Sequence, residues 1–427
     1  MTDTPGDAEA RLAVLGNGVR VVAIALPHLE SASVSVFVRT GSSHESRRHS
    51  GISHFVEHMA FKGTHTRSCQ EINLQAERLG ADVNAHTDKD HTAYHMRGRG
   101  RDAVAFVRML GDIVQGSTFP EAELERERQV LLQEYIEDEE EPISTAYKLF
   151  DKLCFGTHPL AQPVIGSRGN IRRFTRDDLL EYVQGQYTGA NVVVGVAGRV
   201  EPEAIFREAE VAFGAMRQGT ANTVPMPAYA GGIASRALAG SAQTHIVFGL
   251  PVPTLHDEAH HAGVVAAALF GEGMSSPLLD QIRERRGLAY YLSCSADVGE
   301  LAGQFVIEAS TAPEHVDEFL VEVKRLLAGQ AEAVEPVDLE RARNQITVRR
   351  LRAAERPSRR LEDAALDLLA LGRVRPPAEL AERTEAVTAV QVREAFARML
   401  ECREAIAIAG KIRKGALERA REIFASR

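Results

Sequence analysis

The sequence has few cysteines, and no two of them lie close together in the chain. The four are Cys69, Cys154, Cys294 and Cys402, and none belongs to a C-x-x-C pair. Four cysteines so far apart, with no C-x-x-C pair, indicate neither a disulfide framework nor a thiolate metal site. We therefore expect reduced, mostly buried thiols in a cytoplasmic protein.

Long hydrophobic runs are also missing. No stretch approaches the roughly 20 apolar residues that cross a bilayer. The polar start, MTDTPGDAEA, has no apolar core behind a basic end, so we expect neither a membrane anchor nor a secretory signal, and residues 1–11 are expected to be disordered. The net charge of -9 argues against nucleic acid as the main partner and is compatible with basic peptides.

Repetition in the sequence indicates two copies of one unit. A chain of 427 residues is too long for one ordinary core, and two domains are the natural expectation. The sequence AGRV at 197–200 returns as AGKI at 409–412, an offset of 212 residues. In both places a strand pattern is preceded and followed by a helix pattern. The repeat therefore predicts two related units.

The composition between the repeats predicts where the units divide. Residues 217–232, RQGTANTVPMPAYAGG, have the small, proline- and glycine-containing composition of a linker. This places an N-terminal domain at 12–216 and a C-terminal domain at 233–427. Strand patterns that include a hairpin are combined with helix patterns, which predicts the α+β class. We expect two homologous α/β-sandwich units, each with a mixed, largely antiparallel sheet flanked by helices.

Strand signals are clearest early in the first domain. Residues 12–25 predict a hairpin around Asn17-Gly18, and the alternating sequence SVSVFV at 33–38 predicts a third strand. Residues 81–96 are predicted to return to strand. Helices are expected in the segment between the predicted strands at 33–38 and 81–96, and again after residue 96.

The segment GISHFVEHMAFKG, residues 51–63, predicts one short helix with a chemically active face. At 100° per residue its apolar side chains share one face, while His54, Glu57 and His58 share the opposite face. Two imidazoles at i and i+4 can bind one metal ion, and Glu57 can take a proton from a metal-bound water. This is hydrolase chemistry in the H-x-x-E-H order of inverted zinc proteases. A polar helix face that only meets solvent is the alternative.

Two histidines leave a catalytic zinc ion without its usual third protein ligand. A long helix is predicted from residue 121 to about residue 137, and Glu127 and Glu134 project from its apolar stripe. The stripe consists of Leu124, Val130, Leu131 and Tyr135. A carboxylate on such a stripe needs a partner, which a metal ion can provide. Glu134 is the candidate and Glu127 its rival, and composition does not separate them.

No other part of the sequence predicts a metal site as clearly. His86, His91 and His95 are one conceivable cluster, but alternating polar residues on a half-exposed strand need no ligand role. In the second unit, residues 262–270 correspond to the metal helix and contain neither an acid nor a histidine. Only the first unit is therefore expected to bind metal.

These motifs resemble those of the pitrilysin/insulinase family of inverted zinc metallopeptidases, and the length is similar to its two-domain, mitochondrial-processing-peptidase-like branch. In that family a downstream helix carries a glutamate ligand and, seven residues before it, an assisting glutamate. The sequence ERERQVLLQEY holds both. The resemblance implies that Glu134 is a zinc ligand with His54 and His58, and that Glu127 orients a histidine or the ligand set. It also implies one Zn²⁺ per chain.

The resemblance extends to residues that contact substrate. The sequence DVNAHTDKDHTAY, residues 82–94, resembles the family's edge strand, which pairs with the substrate backbone through Asn84 and Ala85. The sequence IRERRGLAYYL resembles the family's arginine and tyrosine pair, which implies that Arg283 and Tyr290 bind the substrate carbonyl and stabilise its oxyanion. Without the resemblance, a surface arginine and a core tyrosine would be the simpler interpretation.

The predicted function is a zinc-dependent endopeptidase or oligopeptidase that hydrolyses unfolded peptides in a closed chamber. The domain at 12–216 binds zinc, and the domain at 233–427 supplies the arginine and tyrosine. The family builds its chamber from four units, so the resemblance implies a homodimer or a heterodimer with a homologous subunit, without nucleic acid or membrane. The alternatives are a maturation peptidase for one precursor peptide, working with an inactive partner, and a non-catalytic assembly subunit.

Overall fold

The computed structural model describes residues 10–425, which contain eleven strands and fifteen α-helices. The strands are β1 (Arg11–Val14), β2 (Arg20–Ala25), β3 (Ser31–Val38), β4 (Asp82–Thr87), β5 (Thr92–Arg99), β6 (Val192–Gly198), β7 (Gly232–Ala237), β8 (Thr244–Val252), β9 (Tyr291–Val298), β10 (Gly303–Thr311) and β11 (Ala405–Gly410). The predicted disordered segment, residues 1–11, lies outside the described residues up to residue 9, and Arg11 already belongs to β1.

The helices alternate with these strands along the chain. They are α1 (Ile52–Ala60), α2 (Cys69–Arg78), α3 (Ala103–Gly116), α4 (Glu121–Glu140), α5 (Pro142–Phe155), α6 (Arg168–Arg173), α7 (Arg176–Gln186), α8 (Pro202–Phe213), α9 (His260–Gly271), α10 (Val316–Glu332), α11 (Pro336–Ala354), α12 (Pro357–Leu371), α13 (Pro377–Ala386), α14 (Ala389–Glu401) and α15 (Ala416–Ala425). Within residues 10–425, no helix combines the length and the apolar composition that crossing a membrane requires.

The first sheet has six strands in the order β1-β2-β6-β3-β5-β4. Only β2 and β6 run parallel, and every other adjacent pair is antiparallel. The central strands β3 and β6 are buried along almost their whole length, which explains the apolar composition of β6, while β3 alternates serines with apolar residues over most of its length. The strand β4 lies at one edge, so one side of its backbone is not paired within the sheet.

Helices cover both faces of the first sheet. On one face, α1, α3, α7 and α8 build a core with residues such as Phe55 and Leu110. On the other face, α12 packs Leu361 and Leu368 against β2, β3, β5 and β6. The approach of α12 is close, because a Cβ atom at Gly195 of β6 would lie 2.3 Å from Leu361 Cδ1. A larger residue at this position would have to displace the buried Leu361 side chain.

The second sheet repeats the plan of the first with five strands in the order β7-β11-β8-β10-β9. Its single parallel pair is β7 with β11, in the same relative place as β2 with β6. Helices α9, α10 and α14 cover one face, and α5 covers the other with Phe150 and Cys154. The predicted α+β class, with two related α/β units and largely antiparallel sheets, is therefore confirmed.

The compact units do not coincide with continuous halves of the chain. One unit contains residues 1–135, 162–224 and 352–376, and the other contains 136–161, 225–351 and 377–427. Helix α12, from the second half of the sequence, covers the first sheet, and α5, from the first half, covers the second sheet. The boundary at 224/225 falls within the predicted linker, residues 217–232, which has no regular structure up to residue 231.

Local signals explain most of the element boundaries. Helix α8 begins at Pro202, whose fixed φ suits the first turn, and α7 begins after Thr175, which forms a capping box with Asp178.

The prediction of one strand over 81–96 was wrong in detail. The polar residues 88–91 form a turn there, closed by the hydrogen bond from Asp88 N to His91 O at 2.8 Å, which separates β4 from β5.

Candidate metal centre

Helix α1 carries the predicted metal motif with its apolar face in the core. Five residues of that face are buried: Ile52, Phe55, Val56, Met59 and Ala60. The opposite face carries His54, Glu57 and His58, all partly exposed. The predicted amphipathic helix is confirmed, and it presents the three polar side chains together.

The side chains of His54, His58 and Glu134 converge on one point. Their potential ligand atoms all lie within 4.8 Å of one another, and they are the only such group of three or more within residues 10–425. Glu134 Oε2 lies 3.9 Å from His54 Nε2 and 3.5 Å from His58 Nε2. Ligands of a tetrahedral zinc ion are about 3.3 Å apart, given Zn–N and Zn–O distances near 2 Å. Two imidazoles and one carboxylate of this spacing fit a zinc ion.

Burial keeps His54 in the form that binds metal. Desolvation, and then the neighbouring His58, lower the pKa of His54 to about 3. The ring therefore stays neutral at ordinary pH and keeps a nitrogen lone pair for a cation. The two rings make an edge-to-face contact with centroids 4.7 Å apart.

Helix α4 supplies both glutamates that the sequence singled out. Leu124 and Leu131 are buried, and Glu127 lies between them, 8% exposed. Its Oε2 atom is 3.1 Å from His58 Nδ1, and its Oε1 atom is 2.6 Å from Lys62 Nζ. The structure thus separates the two rivals by position. Glu134 faces the Nε2 atoms of both histidines, whereas Glu127 binds the far side of one ring, as orienting carboxylates do in metal sites.

Glu57 is partly buried beside His54, His58 and Glu134. The Thr87 hydroxyl donates a hydrogen bond of 2.7 Å to Glu57 Oε2. Burial raises the pKa of Glu57, and the charge of Glu134 adds to the increase, while Thr87 and His58 oppose it. A carboxylate with a raised pKa beside a candidate metal site is typical of a general base.

Sequence reasoning missed Glu45, which caps the metal helix. The N-cap residue of α1 is Gly51, at a φ of 97°, which has no side chain to bind the free amides. Glu45, 2% exposed, accepts 2.8 Å hydrogen bonds from the backbone amides of Gly51 and Ser53. Burial raises the pKa of Glu45 to about 7. The glycine at a position where Ser, Thr, Asp or Asn is usual was the available signal that a distant side chain must act as the cap.

The strand β4 carries the two predicted substrate-binding residues at the edge of the first sheet. Asn84 is exposed, and Ala85 is packed in the core beneath α1. The Nε2 atoms of His86 and His91 are 3.3 Å apart, and His91 Nδ1 is 2.6 Å from Asp90 Oδ1. A free strand edge is the feature that β-strand addition requires.

Arg283 and Tyr290 belong to the other unit. Arg283 lies on the π-helical segment Leu279–Glu284, and its Nε atom is 3.9 Å from Glu284 Oε1. Tyr290 precedes β9 and is 82% exposed, so the alternative interpretation as a core tyrosine is wrong. In the same unit, Glu272 makes an ion pair with Arg349 at 2.5 Å.

The fold and this donor set together define the class of the inverted zinc peptidases, in which H-x-x-E-H lies on a helix and a second helix contributes a carboxylate. The family description "Insulinase (Peptidase family M16)" matches residues 20–168, and "Peptidase M16 inactive domain" matches residues 173–346. The chain belongs to the insulinase, or M16, peptidase family, as the sequence resemblance implied. The finer assignment to the mitochondrial-processing-peptidase-like branch stays a prediction.

Individual relatives agree with this membership. An uncharacterized zinc protease of Rickettsia felis is 31% identical over 86% of this chain and 89% of its own length. The uncharacterized zinc protease YmxG of Bacillus subtilis is 29% identical over 88% of this chain and 92% of its own length. Among solved structures, a protease from Helicobacter pylori has the same fold, with a TM-score of 0.87 at 20% identity over 95% of this chain and 100% of that one.

Proposed function

We propose that this chain is a zinc-dependent endopeptidase or oligopeptidase of unfolded peptides, with His54, His58 and Glu134 as the ligands of one Zn²⁺. The observation that carries the proposal is the convergence of these three donors beside Glu57 on the same helix face. When bound, zinc supplies Lewis-acid chemistry, which polarises a carbonyl and brings the pKa of a coordinated water near neutrality.

Glu57 is the general base and acid of the proposed reaction. It accepts one proton from the attacking water as the water oxygen bonds to the carbonyl carbon. It then passes this proton to the amide nitrogen, so that the carbon–nitrogen bond breaks with an amine as the leaving group. One water is consumed for each bond broken. Glu127 acts through His58, whose ring it orients by the hydrogen bond to Nδ1.

Substrate binding in this proposal uses main-chain contacts. A peptide in extended form adds to the free edge of β4 beside Asn84 and Ala85. Main-chain hydrogen bonds of this kind accept many side-chain sequences, which suits an enzyme of unfolded peptides.

The second unit is proposed to contribute Arg283 and Tyr290 as ligands of the substrate carbonyl. Both side chains carry hydrogen-bond donors, and the exposure of Tyr290 leaves its hydroxyl available. The family resemblance supports a closed chamber of four units, which this chain would form as a homodimer or with a homologous subunit. Confinement in a chamber favours unfolded peptides over folded proteins. We also propose a cytoplasmic location.

Zinc content measured together with cleavage of a peptide library tests the proposal. We expect one zinc per chain and cleavage of unfolded peptides by the purified protein. Glu57→Gln should keep the zinc and lose about 10²–10⁴-fold in kcat, because only the proton acceptor is removed. The matched control is Glu77→Gln, which makes the same chemical change at an exposed glutamate of α2 and should leave kcat unchanged.

Two results would contradict the proposal. Equal activity of wild type and Glu57→Gln would exclude Glu57 as the base. A zinc-loaded wild type that cleaves no peptide in the library would favour the non-catalytic assembly subunit instead.

A further inference from the structure

The edge strand β4 also contacts the proposed general base. Its last residue is Thr87, whose hydroxyl donates the 2.7 Å hydrogen bond to Glu57 Oε2. Side chains alternate along a strand, so Thr87 lies on the same face as Val83 and Ala85, which pack against the core under α1. The strand that is proposed to bind the peptide therefore also holds the base.

The position of Thr87 is fixed by the backbone that follows it. The main-chain oxygens of Asp88 and Lys89 accept hydrogen bonds from the amides of Ser42 and Ser43, at 3.2 and 2.8 Å. The two segments are so close that a Cβ atom at Gly41 would lie 2.2 Å from Asp88 O. Because the backbone that follows Thr87 is held in this way, the Thr87 hydroxyl is already ordered before the reaction begins and can orient another group.

Glu57 needs an orienting group because its helix fixes only the backbone. A glutamate side chain has three rotatable bonds, and a general base must lie within hydrogen-bond reach of the proton it takes. Fixing one oxygen of a planar carboxylate restricts where the other oxygen can lie. Besides the contact with Thr87, the charges of His58 and Glu134 act on this carboxyl, and the charge of Glu57 in turn acts on Tyr94 and Tyr187.

We propose that Thr87 is a positioning residue, which orients the Glu57 carboxylate and keeps it in register with a peptide docked along β4. This inference rests on the proposed function and assigns to the edge strand a second task. The main chain of β4 would bind the peptide, and the side chain of Thr87, the last residue of β4, would orient the Glu57 carboxylate. A shift of β4 would then move both reacting partners together.

The test compares zinc-loaded Thr87→Val and Thr87→Ser with wild type on one unfolded peptide substrate. Valine has nearly the shape of threonine but no hydroxyl, so kcat should fall about 10- to 100-fold with KM within about twofold. Serine keeps the hydroxyl and should recover most of the loss. Zinc content should stay at one per chain in both variants, because Thr87 binds none of the three zinc donors.

Thr92→Val is the matched control, since Thr92 lies directly opposite Thr87 in the β4–β5 pair. Its hydroxyl donates to the main-chain oxygen of Thr40 at 2.8 Å instead of to Glu57. This variant should lower the melting temperature and leave kcat within about twofold. If Thr87→Val does not fold, Thr87→Ala compared with Thr87→Ser makes the same comparison.

The outcomes separate this inference from the proposed function. If Thr87→Val keeps wild-type kcat while Glu57→Gln is inactive, the inference is wrong and the peptidase assignment stands. If Thr87→Val loses zinc in proportion to activity, Thr87 is structural and the inference is also wrong. If the wild type itself cleaves nothing, the proposed function fails and the inference fails with it.

Discussion

The buried carboxylate that caps the metal helix should make the stability of the first unit depend on pH. Glu45 has a pKa raised from 4.5 to about 7 by burial. In the folded protein it stays protonated between these values, whereas in the unfolded chain it ionises. Since each tenfold change in a protonation equilibrium corresponds to 1.36 kcal/mol, ionised Glu45 costs the folded state about 3 kcal/mol.

The sign of this effect follows from the raised pKa. Below pH 4.5 the carboxyl is protonated in both states and imposes no cost. Stability then falls as the pH rises from 4.5 to about 7, because the unfolded chain releases the proton first. Above pH 7 the full cost is present. Glu45→Gln removes the titrating group and keeps its size, but its NH2 group cannot accept one of the two amide hydrogen bonds, which lowers the stability of the variant equally at every pH. The stability of the variant relative to wild type should therefore rise by about 3 kcal/mol between pH 4.5 and pH 8.

Scanning calorimetry of zinc-free protein across this pH range measures the difference. For a unit of this size, 3 kcal/mol corresponds to about 6–12 °C in melting temperature. Taking the difference in melting temperature between variant and wild type cancels the contributions of the other titrating groups. Glu77→Gln, which removes an exposed carboxylate, controls for the loss of one charge. Melting curves of Glu45→Gln and wild type that shift in parallel from pH 4.5 to 8 would refute the reasoning.

Two further substitutions test how the metal centre is supported. Glu127→Gln weakens the contact that orients His58, so zinc affinity should fall about 10- to 100-fold in competition with a chelator, and unchanged affinity would exclude this role. Gly166→Ala should destabilise the fold by about 2–4 kcal/mol in thermal unfolding, because Gly166 has a φ of 75° and its Cβ atom would lie 2.4 Å from Gly51 Cα. Gly169→Ala, with open space around its Cβ position, should be neutral, and equal effects of the two glycine substitutions would contradict the steric explanation.

Elements with local signals were predictable from the sequence. Helix α8 is one of them, because Pro202 begins it and its apolar pattern ends at Phe213. The hairpin of β1 and β2 around Asn17-Gly18 and the amphipathic face of α1 were also predictable, since each depends on residues a few positions apart. The proximity of His54 to His58 was also predictable, because residues at i and i+4 lie on the same face of a helix.

Features that depend on distant contacts were not predictable. Val130 was assigned to the apolar stripe of α4, but it is 44% exposed, whereas Leu124 and Leu131 are buried and Leu132 and Tyr135 pack against the core. The cap formed by Glu45 joins a loop residue to amides six and eight positions away, outside any local capping pattern. The sheet that α5 or α12 covers was also not predictable, since an amphipathic pattern shows that a helix has an apolar face but not which sheet this face will cover.

The exchange of helices between the units has a consequence for how the chain is made. The last helix of the first unit, α12, ends at Leu371, long after the rest of that unit ends at residue 224. At about 5–20 residues per second of synthesis, the sheet face that receives Leu361 and Leu368 stays uncovered for roughly 7–30 s. The nascent first unit therefore exposes an apolar surface of β2, β3 and β6 during that interval, which is a surface at which incomplete chains can associate until α12 covers it.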